Sequence, residues 1–297
     1  MLDYKLIEAL AMVCRMGGFE KAARELLLTQ SAVSQRVRVL EDQLGTPLVI
    51  RGTPCRATAM GGRLVAHHTK VAQLEHDLLS ELQLDREGDF LPLPIGVNED
   101  SMAFWFTEAI APLALKRNYA LHISVDDQDE THKLLKAGVV LGCVSSRSEP
   151  LQGCSIAYLG RMDYLCLATK EFAAKWLPQG LTPEAVKHAP AVVYSTKDRA
   201  HERYLTEVVG ILRPVYPQHY IPSSHGFLDA IKKGIGYGLV PRFHAEGVLG
   251  TGEMVDMYPD APLPIHLYWH HWDLEAGPIK ELTQALVAYA RKTFPQH

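Results

Sequence analysis

The chain has 297 residues, 47% of them hydrophobic and 22% charged, with a net charge of −4, ordinary values for a globular protein of two or three domains. Five scattered cysteines with no C-x-x-C pair, and fourteen histidines with no H-E-x-x-H helix, argue against a zinc ribbon, a redox dithiol or any other metal site. No run approaches the roughly 18 apolar residues of a membrane span, and Asp3, Lys5 and Glu8 interrupt what a secretion signal would keep uncharged, so a cytoplasmic protein is expected.

The charge is unevenly spread. Residues 1–65 carry nine Lys/Arg against six Asp/Glu, a balance of +3, and the remainder carries −7. A local basic face can neutralise phosphates even though the whole chain would not coat nucleic acid, and an acidic remainder suits a cationic or polar small ligand.

Leu2, Leu6, Ile7, Leu10 and Val13 recur at helical spacing up to the Gly17-Gly18 stop. A second short helix follows over 19–27, with Ala22 and Ala23 small enough for a steep crossing with its neighbour. After a turn at 28–30, Thr29 or Ser31 can cap a third helix running to Leu44 before Gly45. Its apolar stripe is Val33, Val37 and Leu40. Gln30, Ser31, Ser34, Gln35, Arg36 and Arg38 then bring amide, hydroxyl and guanidinium groups to the outer face, the groups that read base edges and hold phosphates in a major groove. Residues 47–51 read as a strand, Gly52-Thr53-Pro54 as a tip and 55–58 as the return, a wing that carries Arg51, Pro54 and Arg56 towards the DNA backbone or minor groove. Gly61-Gly62 opens another helix.

The runs 19–23 and Thr29-Gln30-Ser31-Ala32-Val33-Ser34-Gln35-Arg36-Val37, then Leu40-Glu41, Leu44-Gly45, Pro47-Leu48, Arg51 and Thr58, resemble the N-terminal domain of LysR-type transcriptional regulators, with the family's spacing throughout. Ser31 stands where the family commonly has Pro, a departure that leaves the fold expectation unchanged. The resemblance implies a DNA operator as partner, self-association as a dimer or tetramer, and a contact with RNA polymerase.

Residues 62–87 contain neither Pro nor an internal Gly, and Leu64, Val71, Leu74, Leu78 and Leu82 form one narrow seam, the pattern of a helix that pairs with its own copy. Residues 86–89 read as a hinge. The domain boundaries expected are a winged helix-turn-helix over 1–60, a linker helix over 61–88 and an effector domain over 89–297.

In that last part, strands at 91–97, 121–125 and 139–145 alternate with helices at 101–115 and 130–138, the β-α-β order of an α/β domain. Further strands are expected at 164–169, 191–194, 238–241 and 267–269, and further helices at 226–233 and 277–293. The resemblance implies a periplasmic-binding-protein-like pair of subdomains, I over 89–163 and 267–297 and II over 164–266. Gly234-Ile235-Gly236-Tyr237-Gly238 is no dinucleotide loop, because a helix precedes the glycines and a strand follows them. No nucleophile elbow appears, so no enzyme and no cofactor are expected.

The segment 97–105, the Asp163-Tyr164-Leu165 run and the run 267–270 resemble the ArgP/IciA/LysG branch of the same family, regulators of basic amino-acid export and related genes. That implies lysine or arginine as effector, acting on a regulator that is an activator. The expected helix start at Ser101 offers free N–H groups to a carboxylate, although Asp and Ser there are equally plain caps. Ser101, the neighbouring backbone N–H groups, Ser145 and Ser224 are the candidates for the α-carboxylate side, and Asn98 is a further effector-binding candidate. Asp100, Asp127 and Asp198 are the candidates for the cationic groups, since a desolvated cation needs a carboxylate. Trp105 is either a pocket wall or a core residue.

Overall fold

The computed structural model describes residues 2–81, 90–126, 128–273 and 277–296. It opens with α1 (Tyr4–Met16), α2 (Phe19–Glu25), α3 (Gln30–Leu44), the wing strands β1 (Val49–Ile50) and β2 (Arg56–Ala57), and the long α4 (Ala59–Glu81). The periodic residues Leu6, Ile7, Leu10 and Val13 are buried in one core with Ala22, Ala23, Val33, Val37 and Leu40, joined by Leu48 and Cys55 from the wing. Leu2 lies ahead of the helix, outside that stripe, and is exposed. Helix α2 stops before Leu27, which takes a φ of 54°.

The wing is shorter than its apolar run. Only Val49↔Ala57 and Ile50↔Arg56 pair, because Glu41 accepts the amides of Leu48 (2.7 Å) and Val49 (3.3 Å) and binds the strand's start to α3 instead. Helix α4 begins two residues before Gly61-Gly62, so those glycines do not open it. Gly61 serves packing: a Cβ there would stand 2.1 Å from the Leu48 carbonyl oxygen. The expected hinge at 86–89 and Leu82 of the seam lie outside the described residues.

The remaining elements are β3 (Leu91–Asn98); α5 (Glu99–Ser101), which passes through a π-helical turn (Met102–Phe106) into α6 (Thr107–Ala114); β4 (Tyr119–Asp126); α7 (Gln128–Lys136); β5 (Gly142–Ser145); and β6 (Cys154–Thr169). Then come α8 (Lys170–Trp176), α9 (Pro183–Val186), β7 (Ala191–Val193), α10 (Ala200–Arg203) with a second π-helical turn (Tyr204–Val208), β8 (Gln218–Tyr220), α11 (Ser224–Lys232), β9 (Gly238–Pro241), α12 (Arg242–Leu249), β10 (Met254–Asp256), β11 (Leu263–Trp272) and α13 (Pro278–Thr293). Packing gathers the chain into two compact units, one of Met1–Asn98, Glu108–Ala157 and Tyr268–Ala288, the other of Glu99–Thr107, Tyr158–Leu267 and Tyr289–His297.

In the first unit β3 is the central strand. It runs parallel to β4 from Leu91↔Tyr119 to Asn98↔Asp126 and parallel to β5 at Ile95↔Gly142. Its run Leu93–Asn98 is buried continuously, as a strand covered on both faces requires. Strand β11 closes this part antiparallel to β5. Helix α4 lies against the turn after α7. Gly138 holds a φ of +71°, and a Cβ on it would stand 2.5 Å from the Cβ of Ala66. One helical turn further on, the Lys70 ammonium sits 4.1 Å from the Trp272 ring centroid.

In the second unit β6 pairs antiparallel with β9 (Tyr164↔Pro241 to Leu167↔Gly238) and with β10 (Leu167↔Asp256 to Thr169↔Met254). β7 and β8 pair in parallel. Leu165, Leu167, Val192, Leu228, Ile231, Val240, Ala245 and Met254 form the core. Strand β6 begins ten residues before the apolar run at Tyr164. The charges that disguise this, Arg161 and Asp163, neutralise each other across 2.8 Å.

Candidate DNA-reading surface and effector site

Burying Val33, Val37 and Leu40 forces the opposite side of α3 outward. Gln30, Ser31, Gln35 and Arg38 are exposed, and Ser34 and Arg36 are half-buried. Of the two possible caps, Thr29 is the one used: its hydroxyl accepts the Ala32 amide at 3.2 Å and lies 3.0 Å from the Ser31 hydroxyl. That leaves Gln30 as the first exposed amide at the helix's free N-terminal end. Arg51, Pro54 and Arg56 are exposed on the wing, with the Arg51 guanidinium 5.8 Å from the Phe19 ring centroid. The Cys55 amide donates to the Gly17 carbonyl at 2.9 Å and holds the wing beside the α1–α2 turn. All ten residues expected to touch DNA therefore belong to one packed module, at the N-cap and first nine residues of α3 and on the wing.

The expected effector residues are distributed between the units. Asn98 and Ser145 belong to the first. Both are buried, the Asn98 Oδ1 without a partner among the described residues and the Ser145 hydroxyl accepting the Arg147 amide at 3.2 Å. Asp127 lies outside the described residues. The second unit brings Asp100 and Ser224 together: the Ser224 hydroxyl donates to Oδ1 of Asp100 at 3.1 Å, and the Tyr164 hydroxyl donates to Oδ2 at 2.5 Å. Burial raises the Asp100 carboxyl above its ordinary range. The two hydroxyl bonds oppose the rise, and the charges of Asp198 and Glu99 add to it. Asp198 is itself engaged by the amides of Tyr194 (3.2 Å) and Ala200 (2.8 Å).

One expectation changes. The helix starts at Glu99 directly from β3, so Ser101 is its third residue and no cap; its hydroxyl is fully buried without a partner among the described residues. Trp105 takes the core role at 2% exposure, stacked on Tyr289 (6.2 Å between centroids) and edge-on to Phe106 and Phe294. Tyr164 is the site residue that sequence reasoning passed over. It appeared as the start of a strand and within the Asp163-Tyr164-Leu165 run of the branch resemblance, and nothing in its neighbours marks a hydroxyl that reaches residue 100.

Residues 4–62 match the family described as bacterial regulatory helix-turn-helix protein, lysR family, and residues 91–293 match the LysR substrate binding domain. With the reading helix and wing above, these define a DNA-binding transcriptional regulator. The chain belongs to the LysR family.

Among its relatives, the HTH-type transcriptional regulator ArgP of Vibrio vulnificus (strain CMCP6) is 39% identical over 295 residues, covering 99% of both chains. ArgP of Aeromonas salmonicida is 39% identical over 291 residues, covering 98% of this chain and 97% of its own. The crystal structure of ArgP from Mycobacterium tuberculosis covers the whole of both chains at 34% identity with a TM-score of 0.86. Full-length LysG from Corynebacterium glutamicum with bound effector Arg matches at 30% identity and a TM-score of 0.76, over 99% of this chain and all of its own.

Proposed function

We propose that this regulator responds to a basic amino acid, arginine or lysine, and that Asp100 accepts one of the ligand's cationic groups. The carrying observation is a carboxylate fixed at both oxygens by hydroxyls, raised by burial and by two neighbouring acids, with no cation acting on it among the described residues. Such a group gains most from an incoming ammonium or guanidinium. The bound Arg of the LysG structure and the ArgP relatives support the same reading.

Two copies pair along α4, where Leu74 and Leu78 leave 59% and 55% of their surface exposed in the single chain. The paired heads read two half-sites about one DNA turn apart, and the dimer or a tetramer of it meets RNA polymerase in the cytoplasm as an activator of amino-acid export or metabolism genes. Effector binding shifts the population between arrangements of the effector domain. Titration calorimetry with arginine, lysine, citrulline and Nα-acetyl-arginine tests the effector reading. Arginine and lysine should bind, and one of the two singly neutralised analogues should lose most affinity. Equal affinity for all four refutes the ion pair.

A further inference from the structure

Away from Asp100, the second unit buries a group of polar atoms that its own side chains leave unsatisfied. His201 on α10 is 2% exposed, and among the described residues neither ring nitrogen has a hydrogen-bond partner. The hydroxyls of Tyr204, in the π-helical turn, and of Tyr237, just before β9, are equally unpartnered among the described residues, on side chains with no exposure at all. The three converge. The His201 ring lies 4.9 Å from the Tyr237 ring and 5.1 Å from that of Tyr216. Tyr237 is within electrostatic reach of Tyr204, and both tyrosines feel Cys166 on β6.

Four orphaned polar atoms are too many to leave dry, since each would cost roughly 1–3 kcal/mol. We propose that His201, Tyr204 and Tyr237 line an internal chamber that binds ordered water as a permanent part of the second unit. The chemistry of the lining selects water over an ion. Burial pushes His201 down to about 3, and burial also pushes both tyrosines and the Cys166 thiol up, so all four groups are neutral at physiological pH. A buried ion would find no counter-charge among them, whereas a buried water needs only two to four polar partners. At about three bonds per water, on the order of two molecules satisfy the four atoms. One imidazole nitrogen donates and the other accepts, and each phenol does either. Within the unit the chamber adjoins the Asp100 site, because Asp198 acts on Tyr216 as well as on Asp100 and Tyr164.

A high-resolution crystal structure of the full-length protein without added amino acid, together with the melting temperatures of Tyr204→Phe and Tyr237→Phe, tests this. Water density within about 2.7–3.2 Å of the imidazole nitrogens and both hydroxyls is expected. Each variant should melt about 2–4 °C lower, because it strands a bound water's hydrogen bond. Absence of water density overturns the proposal. So does density of a larger molecule in the chamber, or both variants melting at or above the parent, the result for hydroxyls that were simply dry.

Discussion

Asp100→Asn separates binding from folding at one atom. The amide keeps the shape of the side chain. Its oxygen can accept from Tyr164 or Ser224, whose donors now reach the carboxylate at 2.5 and 3.1 Å, and its nitrogen can donate to the other hydroxyl. The charge is lost, and with it the partner of a desolvated cation, a loss worth roughly 2–5 kcal/mol for buried pairs, or about thirtyfold to several thousandfold in arginine affinity. Stability should move the other way. A carboxyl whose folded-state pKa is raised binds its proton more tightly in the native than in the unfolded chain. Native stability therefore falls as pH climbs from the usual carboxylate range through the raised value, and the deficit persists at neutral pH. Asparagine removes that deficit. The assay is calorimetric titration with arginine alongside thermal unfolding without ligand, both at neutral pH. An unchanged arginine affinity refutes Asp100 as the cation's partner; a variant that melts well below the parent refutes the reading of Asp100 as a strained, waiting charge.

Further outcomes follow from the same geometry. Arginine affinity of the parent should weaken as pH falls through the raised Asp100 value, since the protonated acid attracts no cation, and this slope should vanish in Asp100→Asn when titrations are repeated across acidic pH. Burial holds His201 neutral down to about 3, while the unfolded chain binds that proton from about 6.5. Each pH unit below 6.5 should thus cost about 1.4 kcal/mol from this residue alone, and urea unfolding of His201→Gln should show a shallower acid limb. Gln30→Ala should relax base preference by roughly 1–3 kcal/mol, and Arg36→Ala should weaken all sequences alike with a smaller salt slope, as measured by binding to operator and random DNA at several salt concentrations. Gly138→Val forces a β-branched residue to a φ of +71° with its Cβ 2.5 Å from that of Ala66; a loss of roughly 1–3 kcal/mol is expected in thermal unfolding.

The first module was legible in sequence because its determinants are local. Three apolar stripes at helical spacing, glycines 17 and 45 after the helices, and the Ala22-Ala23 crossing dictate where each helix starts, stops and turns inward, and the outward face of α3 follows from the same period. The β-α-β alternation that yields β3, β4 and β5 was readable for the same reason. Where side-chain chemistry mixes with packing, local pattern misled. Charged Arg161 and Asp163 hid half of β6, and a good capping pair concealed a helix that starts at Glu99.

What sequence determined by itself was the architecture and the exposed polar face of α3 and the wing, since both rest on spacings within a few turns of one chain. Among the described residues, tertiary structure alone separated Asp100 from Asp198. Asp100, Asp127 and Asp198 are chemically alike in sequence. Only the approach of Tyr164 and Ser224, residues 64 and 124 positions away, fixes Asp100 out of water, and while the amides of Tyr194 and Ala200 engage Asp198. Burial and long-range hydrogen bonding set the energy of a charge, and neither is encoded within reach of its own neighbours.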